Sequence, residues 1–419
     1  MSVIEDLPPS QDGGKPVPLR RNRDFLLLWT SAGLSTLGMR AAAVAYPLLM
    51  VWRGDTVGAG LVGFAALLPQ LLVQIPAGVL VDRVPRRRLM IYCDLAGVLS
   101  MLGVVLVLAS GHMWLPQIMA AAFIEGTAAI VYRLAERAAI RHVLPEDQLS
   151  AGLSQNEARG QASGLLGQPV GSGLFAVTRW LPFGLTALTH LAALVLLLMI
   201  RRPFEDPRDE EEEKSGRKKG KFRRDIAEGL RWVWQDKVLR VAIALIAGSN
   251  IVFQVLAIAI VLVIKERDGS PALVGLIGLI AGLGGVAGAL VAQKLLKWFG
   301  MPVLFTGTFF VWGIFLTGIA FTGNPVALGV LFGAMVFAGA VMNVAAGIYQ
   351  VKTTPDRLQG RVGSVLGLVA SGMNSVGSLV GGFSLHLFGA RDTLLVSAVA
   401  MAAFGVIAVA TPAIRRAKM

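Results

Sequence analysis

Twelve continuous apolar runs, each about the length that crosses a bilayer as a helix, dominate this chain of 419 residues. They fall at 25–51, 57–81, 89–110, 113–137, 150–178, 182–200, 238–264, 271–296, 301–322, 325–351, 361–388 and 391–413. Lipid offers a backbone no hydrogen bonds, so only helices and closed barrels span it. Barrel strands alternate polar and apolar residues over about ten positions. These runs do not alternate, which leaves helices. Only 16% of the residues are charged, against about 25% in a soluble domain. Glycine-rich runs such as GLIGLIAGLGGVAGAL (275–290) and GSLVGGF (377–383) let membrane helices approach closely. The expected fold is an all-α membrane protein with twelve transmembrane helices.

The net charge of +13 follows topology and not a nucleic-acid partner. Lys and Arg near span ends are retained in the cytoplasm. With the N-terminus inside, Arg53, Arg179, Lys265, Arg267 and Arg391 fall outside, and Arg40 and Arg159 fall in or at the edge of spans. Every other Lys and Arg falls on the cytoplasmic side. An even number of spans returns Arg415, Arg416 and Lys418 to that side, so both termini are expected in the cytoplasm of a cell (inner or plasma) membrane protein. Residues 1–22 are polar, include Glu5, Asp6 and Asp12, and lack a signal-peptide core, so the first span is expected to direct its own insertion. A single cysteine, Cys93, excludes an intrachain disulfide.

The longest hydrophilic stretch, 201–237, divides the chain. The expected units are a tail (1–22), a six-helix bundle (23–200), a cytoplasmic linker (201–237), a second six-helix bundle (238–414) and a tail (415–419). The linker carries an acidic run, Asp209 to Glu213, and then a basic run, Lys214 to Arg224, as solvated linkers do. Phe222, Ile226, Leu230 and Val233 recur at helical spacing, which predicts an amphipathic helix on the membrane interface. GVLVD at Gly78 matches GALVA at Gly288, and PEDQL at Pro145 matches PDRL at Pro355. Both pairs are 210 residues apart. The bundles therefore read as two pseudo-repeats, an arrangement that puts the substrate site near the midplane between halves. Ala292 and Gln293 stand in the second copy where Asp82 and Arg83 stand in the first.

Residues 78–88, GVLVDRVPRRR, follow the second apolar run. Gly78, Leu80, Asp82, Arg83, Arg86, Arg87 and Arg88 resemble the loop between the second and third spans of the major facilitator superfamily, Gly-x-Leu-x-Asp-Arg-x-x-Arg-Arg. The resemblance implies that Asp82 docks on the second half when the transporter opens outward. The N-terminus of span eleven, near Gly360 to Gly363, would offer it a positive dipole end, and Arg133 and Arg137 are alternative partners. The other reading is a loop that only fixes orientation. GLLGQPVGSG (164–173) resembles the superfamily's antiporter motif at Gly164, Pro169 and Gly173, with Gln168 and Ser172 replacing two of its glycines. In the family that motif marks exporters. As plain sequence it is a proline kink with close helix contact.

Ionisable residues within spans are functional candidates by default. Arg40 lies roughly 22 Å from the cytoplasmic start of span one, and Glu125 roughly 18 Å from the outer start of span four. The resemblance implies that spans one, four, seven and ten line the cavity, so Arg40 and Glu125 are expected to face each other across it. They form either a coupling pair or a fixed buried ion pair. Glu125-Gly126 also matches the end of the family's span-four motif, Arg-x-x-Gln-Gly, whose arginine is replaced here by Ala122. Burial disfavours the charged form of a carboxylate and a nearby arginine favours it, so Glu125 is the first candidate for proton coupling. Asp94 in span three is the second, although its position predicts pairing with Arg86–Arg88. Glu136 and Arg137 are expected in that same mouth network.

The second half offers amides and not acids at cavity depth: Asn250 and Gln254, Asn343 and Asn374, beside Phe253, Met342 and Tyr349. Such surroundings suit an amphipathic organic ligand, and each amide alone also suits helix packing. His112, His190 and His386 read as scattered and unpaired with acids, with His142 in a loop. No HExxH, GxSxG or Walker loop occurs, which argues against an enzyme and an ATP-driven pump. No cofactor or metal is expected.

NRDFLLLWTSAGLSTLG (22–38), LPQLLVQIPAGVLVDRVPRRR (68–88), EGLRWVW (228–234) and TPDRLQGRVGSVLG (354–367) are similar to the branch holding bacterial macrolide-efflux proteins and the enterobactin exporter. The resemblance implies a monomeric, proton-coupled exporter of a small amphipathic molecule, such as an antibiotic, secondary metabolite or siderophore. An importer or facilitator of the same fold is the alternative, and a transport-dead scaffold or sensor a further one. The expected partners are that small molecule, protons and the lipid bilayer.

Overall fold

A computed structural model describes residues 18–200, 228 and 230–415. Among them there are helices and turns but no strand. In chain order the helices are α1 (Arg23–Trp52), α2 (Thr56–Leu72), α3 (Gln74–Arg83), α4 (Arg86–Ala109), α5 (Leu115–Val143), α6 (Glu146–Val177) and α7 (Leu181–Met199). After the linker come α8 (Lys237–Glu266), α9 (Ala272–Phe321), α10 (Pro325–Thr353), α11 (Asp356–Ala410) and the short α12 (Pro412–Arg415).

Side-chain caps fix several helix starts by accepting otherwise unpaired N–H groups. Asn22 accepts from Phe25 N, Asp55 from Gly58 N, Asp236 from Val238 N and Leu239 N, and Asn324 from Val326 N and Ala327 N. Proline stands at the start of α4, α6 and α11 (Pro85, Pro145 and Pro355), where its missing N–H costs nothing. Arg87 closes the end of α7, its Nε donating to Leu197 O at 3.1 Å and its Nη2 to Leu198 O at 3.0 Å.

Eight helices are long and apolar enough to cross a membrane, or nine with the bent pair α2–α3 counted as one span. Three physical causes separate that number from the expected twelve. The second apolar run bends by 56° between α2 and α3, where Pro76 lacks the N–H that would bond back to Leu72. Helices α9 and α11 each join two expected runs through one glycine in left-handed conformation, Gly300 (φ 72°) and Gly389 (φ 73°). Helix α6 carries Glu146, Asp147, Glu157 and Arg159 in its first half and falls short on hydropathy.

Helices α1, α2, α4, α5, α6 and α7 pack among themselves, as do α8, α9, α10 and α11. The two groups meet along α2 with α11 and α6 with α9. These seams are tightest at the end remote from the 78–88 loop, here called the far side. A Cβ on Gly60 would stand 2.8 Å from Gly382 Cα, and one on Gly275 would stand 2.6 Å from Pro169 Cα. On the loop side, a Cβ on Gly78, Gly160, Gly347 or Gly360 would meet nothing within 4 Å. The bundle is therefore closed on the far side and open towards the loops.

The predicted linker helix falls partly outside the described residues, including Phe222, Ile226 and both charge runs. Within them, 230–235 is helical. Val233 is buried against Val238, Leu239 and Tyr349, while Leu230 is exposed. The last linker turn thus packs on the loop end of the second helix group. The tails 1–17 and 416–419 also lie outside the described residues.

Candidate functional site

An ionisable side chain inside an apolar bundle needs partners, and α1, α4, α5 and α7 bring three such groups to one point. Asp94 of α4 and His190 of α7 are fully buried, and Glu125 of α5 is 6% exposed. His190 Nδ1 lies 2.8 Å from Asp94 Oδ1, and Nε2 lies 3.4 Å from Glu125 Oε2. Ser35 of α1 donates its hydroxyl to the same Asp94 oxygen at 2.5 Å. Gly97 makes the space, because a Cβ there would stand 2.7 Å from the imidazole Cδ2 and Nε2. Asp94 Oδ2, Glu125 Oε1 and the Tyr46 hydroxyl are buried without a hydrogen-bond partner. A neutral imidazole donates from one nitrogen, and only the protonated ring donates to both carboxylates. The two ring contacts are therefore both donated only when the ring carries its second proton.

Two sequence expectations are corrected here. Histidine is not unpaired with acids, since His190 touches two. Asp94 does not pair with Arg86–Arg88: it lies two turns further along α4, where it faces α7 and α1. Position 190 was legible by the same rule that picked out Glu125, because any titratable group mid-span is costly.

Arg40 and Glu125 do not face each other. Arg40 comes five residues after Ser35, about 140° further round α1 at 100° per residue. Its Cβ therefore faces Gly167 of α6, and its side chain is exposed, with no acid paired to it among the described residues. Glu136 does not join Arg137 either. It holds Arg159 Nη2 at 2.7 Å and Asn156 Nδ2 at 2.6 Å, and Arg159 also donates to Trp29 O at 3.1 Å. Buried pairing of this kind ties α5, α6 and α1 together near the loop side. Arg159 also borders a cleft of about 640 Å³ between α1 and α6.

In the second helix group, Asn250, Phe253, Met342 and Asn343 line one cavity of about 280 Å³. Sequence reading missed its wall, Trp312, since a tryptophan inside an apolar run carries no periodic signal. Phe253 meets Trp312 edge-on at 4.9 Å, and Trp312 meets Phe309 at 5.5 Å. Trp312 Nε1 donates to Met335 O at 2.8 Å, which fixes the ring. Asn250 Nδ2 donates to Ala370 O at 2.9 Å, so this amide also joins α8 to α11. Tyr349 lies elsewhere, buried with Val233, Leu239 and Leu358. Gln254 backs onto Gly377, and Asn374 is half-buried on α11; neither lines the cavity.

The antiporter-like segment lies on the seam. Gln168, Pro169 and Ser172 of α6 meet Gly275 and Gly278 of α9, so the glycines replaced on one helix are supplied by its partner. Positions 164 and 173 open onto space, and α6 continues as one helix through Pro169. In the 78–88 loop, Asp82 and Arg83 are exposed at the end of α3, which packs on α5. Arg133 and Arg137 are exposed on α5.

The family model described as Major Facilitator Superfamily matches residues 28–377. The chain is 28% identical over 407 residues to the multidrug efflux pump Tap of Mycolicibacterium fortuitum, covering 93% of this chain and 96% of that one. It is 25% identical over 409 residues to the pump of the same name from Mycobacterium tuberculosis, covering 94% of both. Among solved structures it superposes on a bacterial homolog of the human lysosomal transporter Spinster, in inward-facing and unoccupied conformation, with a TM-score of 0.72, 15% identity, and 93% and 96% of the two chains covered. It superposes on the nucleoside transporter NupG with a TM-score of 0.72, 12% identity, and 94% and 100% covered. For a D-xylose-proton symporter the TM-score is 0.67 at 15% identity, with 94% and 99% covered.

Proposed function

Because the chain belongs to the Major Facilitator Superfamily, we propose that this transporter extrudes a hydrophobic or amphipathic organic compound by proton antiport with alternating access. The observation that carries the coupling is the buried Asp94–His190–Glu125 cluster, which holds two carboxylates with one free oxygen each. The relatives named as multidrug efflux pumps support the direction. An aromatic wall with a few amides supports an amphipathic ligand, such as an antibiotic, secondary metabolite or siderophore.

Twelve spans in two repeats fit this reading. Dividing α9 at Gly300 and α11 at Gly389, joining α2 to α3 and counting α6 give that number. Gly389 also lies 210 residues after Arg179, which separates α6 from α7. The basic loops belong in the cytoplasm with both termini, and the protein works as a monomer in the cell membrane. In the outward-open state Asp82 docks on the start of α11, while Gly78 leaves room for the approach and Arg83, Arg86 and Arg87 line the closing mouth.

The test is ethidium efflux from proteoliposomes with an imposed pH gradient. Antiport predicts that dye leaves the cytoplasmic-side compartment faster when the opposite compartment is more acidic, and that a protonophore abolishes the difference. The reverse dependence would identify a symporting importer, and no dependence a facilitator. Trp312→Phe removes one hydrogen bond and part of the cavity wall. It is expected to lower stability by about 0.5–1.5 kcal/mol in chemical denaturation and to weaken ethidium binding several-fold in a fluorescence titration.

A further inference from the structure

Resting on the antiport reading, we propose that His190 is a proton relay that joins Glu125 to Asp94 along the membrane normal. Glu125 lies ten residues into α5 from the far-side end, roughly 15 Å deep, and Asp94 lies eight residues into α4 from the loop-side end, roughly 12 Å deep. His190 stands mid-way along α7. One ring nitrogen faces each acid, so the imidazole spans the gap between a far-side carboxylate and a loop-side one. The oxygens without partners, Glu125 Oε1 and Asp94 Oδ2, are the two ends of the chain.

The groups around the ring are few. Helix α4 presents Asp94 and α5 presents Glu125 to the ring itself, while Cys93, Tyr132, Ser35 and Tyr46 lie around those two acids. From α6, the remaining helix packed on α7, no charged group reaches His190 among the described residues. Among the described residues no arginine or lysine side chain bonds to either acid, so the imidazole is the group that links them.

The step conserves protons. Glu125 takes up a proton and passes it to Nε2, while Nδ1 releases its own proton to Asp94 Oδ1. Glu125 returns to carboxylate, Asp94 becomes a carboxylic acid, and the imidazole changes tautomer and stays neutral. Release from Asp94 towards the loop side and rotation of the ring reset the site. Ser35 and the tight fit against Gly97 hold Asp94 and the ring in line. Such a relay moves a proton between helices α5 and α4 without opening a water path between the two faces.

The experiment compares pH-gradient-driven ethidium efflux with gradient-free ethidium counterflow in proteoliposomes of the full chain. His190→Gln is expected to lower the ratio of the two by about tenfold or more, within the range of a lost proton-transfer group. Gly97→Ala, whose new methyl pushes on the ring from the Nε2 side, is expected to lower the ratio in the same direction with the histidine still present. In nitrogen-15 spectra of histidine-labelled protein, Asp94→Asn and Glu125→Gln are each expected to shift the His190 ring nitrogens. A gradient-driven wild type whose ratio is unchanged in both His190→Gln and Gly97→Ala overturns the relay and leaves antiport standing. A wild type with no gradient response overturns the antiport reading itself.

Discussion

Glu125→Gln is expected to reduce gradient-driven ethidium efflux by about a hundredfold, while counterflow of the dye falls far less. The side chain is nearly isosteric and keeps an acceptor for His190 Nε2, so the fold is preserved. What it loses is the exchangeable proton. Removing a positioned acid or base typically costs about 10²–10⁴ in rate, and Glu125 has no nearby substitute on α5. Asp94 sits on the other side of the imidazole, so it cannot take protons from the far side in its place. The efflux rate of the wild type is expected to depend on the pH of both compartments, and that of Glu125→Gln on neither. If Glu125→Gln transports with the wild-type pH profile, the cluster is a fixed structural bridge.

Gly382→Leu is expected to depopulate the loop-side-open state. Gly60 of α2 and Gly382 of α11 meet backbone to backbone, and a Cβ at 382 would stand 2.7 Å from both Gly60 Cα and Thr56 O. Backbone cannot rotate aside as a side chain can. Overpacking of this kind costs about 1–3 kcal/mol, and each 1.4 kcal/mol is about tenfold in an equilibrium. The far-side seam should therefore part, and the population should shift towards outward-open by about fivefold to a hundredfold. Spin labels at Arg53 and Phe388, both exposed on the far side, would report a longer distance. Transport should fall with it, because alternating access needs both states. Gly78→Ala is the contrast: nothing lies within 4 Å of a Cβ there, so the same distance should stay unchanged in this state.

These two expectations use different kinds of information. The glycine runs on α9 and α11 were legible as packing surface, but their partners were not. Gln168 and Ser172 read as losses from a motif in the sequence, whereas in the fold Gly275 and Gly278 lie opposite them. Likewise, the depth of Glu125 is set by its position along the chain, whereas its partner depends on rotation about each helix axis. Arg40 has a depth compatible with pairing, but its Cβ packs on Gly167 of α6 and it pairs with no acid among the described residues; an error of one or two residues in helix phase turns a side chain by 100° or more.

The sequence by itself determined the solvent and the secondary structure. Continuous apolar runs in lipid allow only helices, the basic loops predict their orientation, and single costly residues such as Glu125 and Asp94 mark where buried partners are needed. Its 210-residue offset predicts a two-fold plan. The tertiary structure alone decided the pairings: His190 between two acids, Arg159 on Glu136, Trp312 on Phe253, and Gly60 on Gly382. Hydropathy is a property of each run and survives any rotation of the helix. A contact depends on the phases of two helices at once, and nothing local in the chain encodes that product.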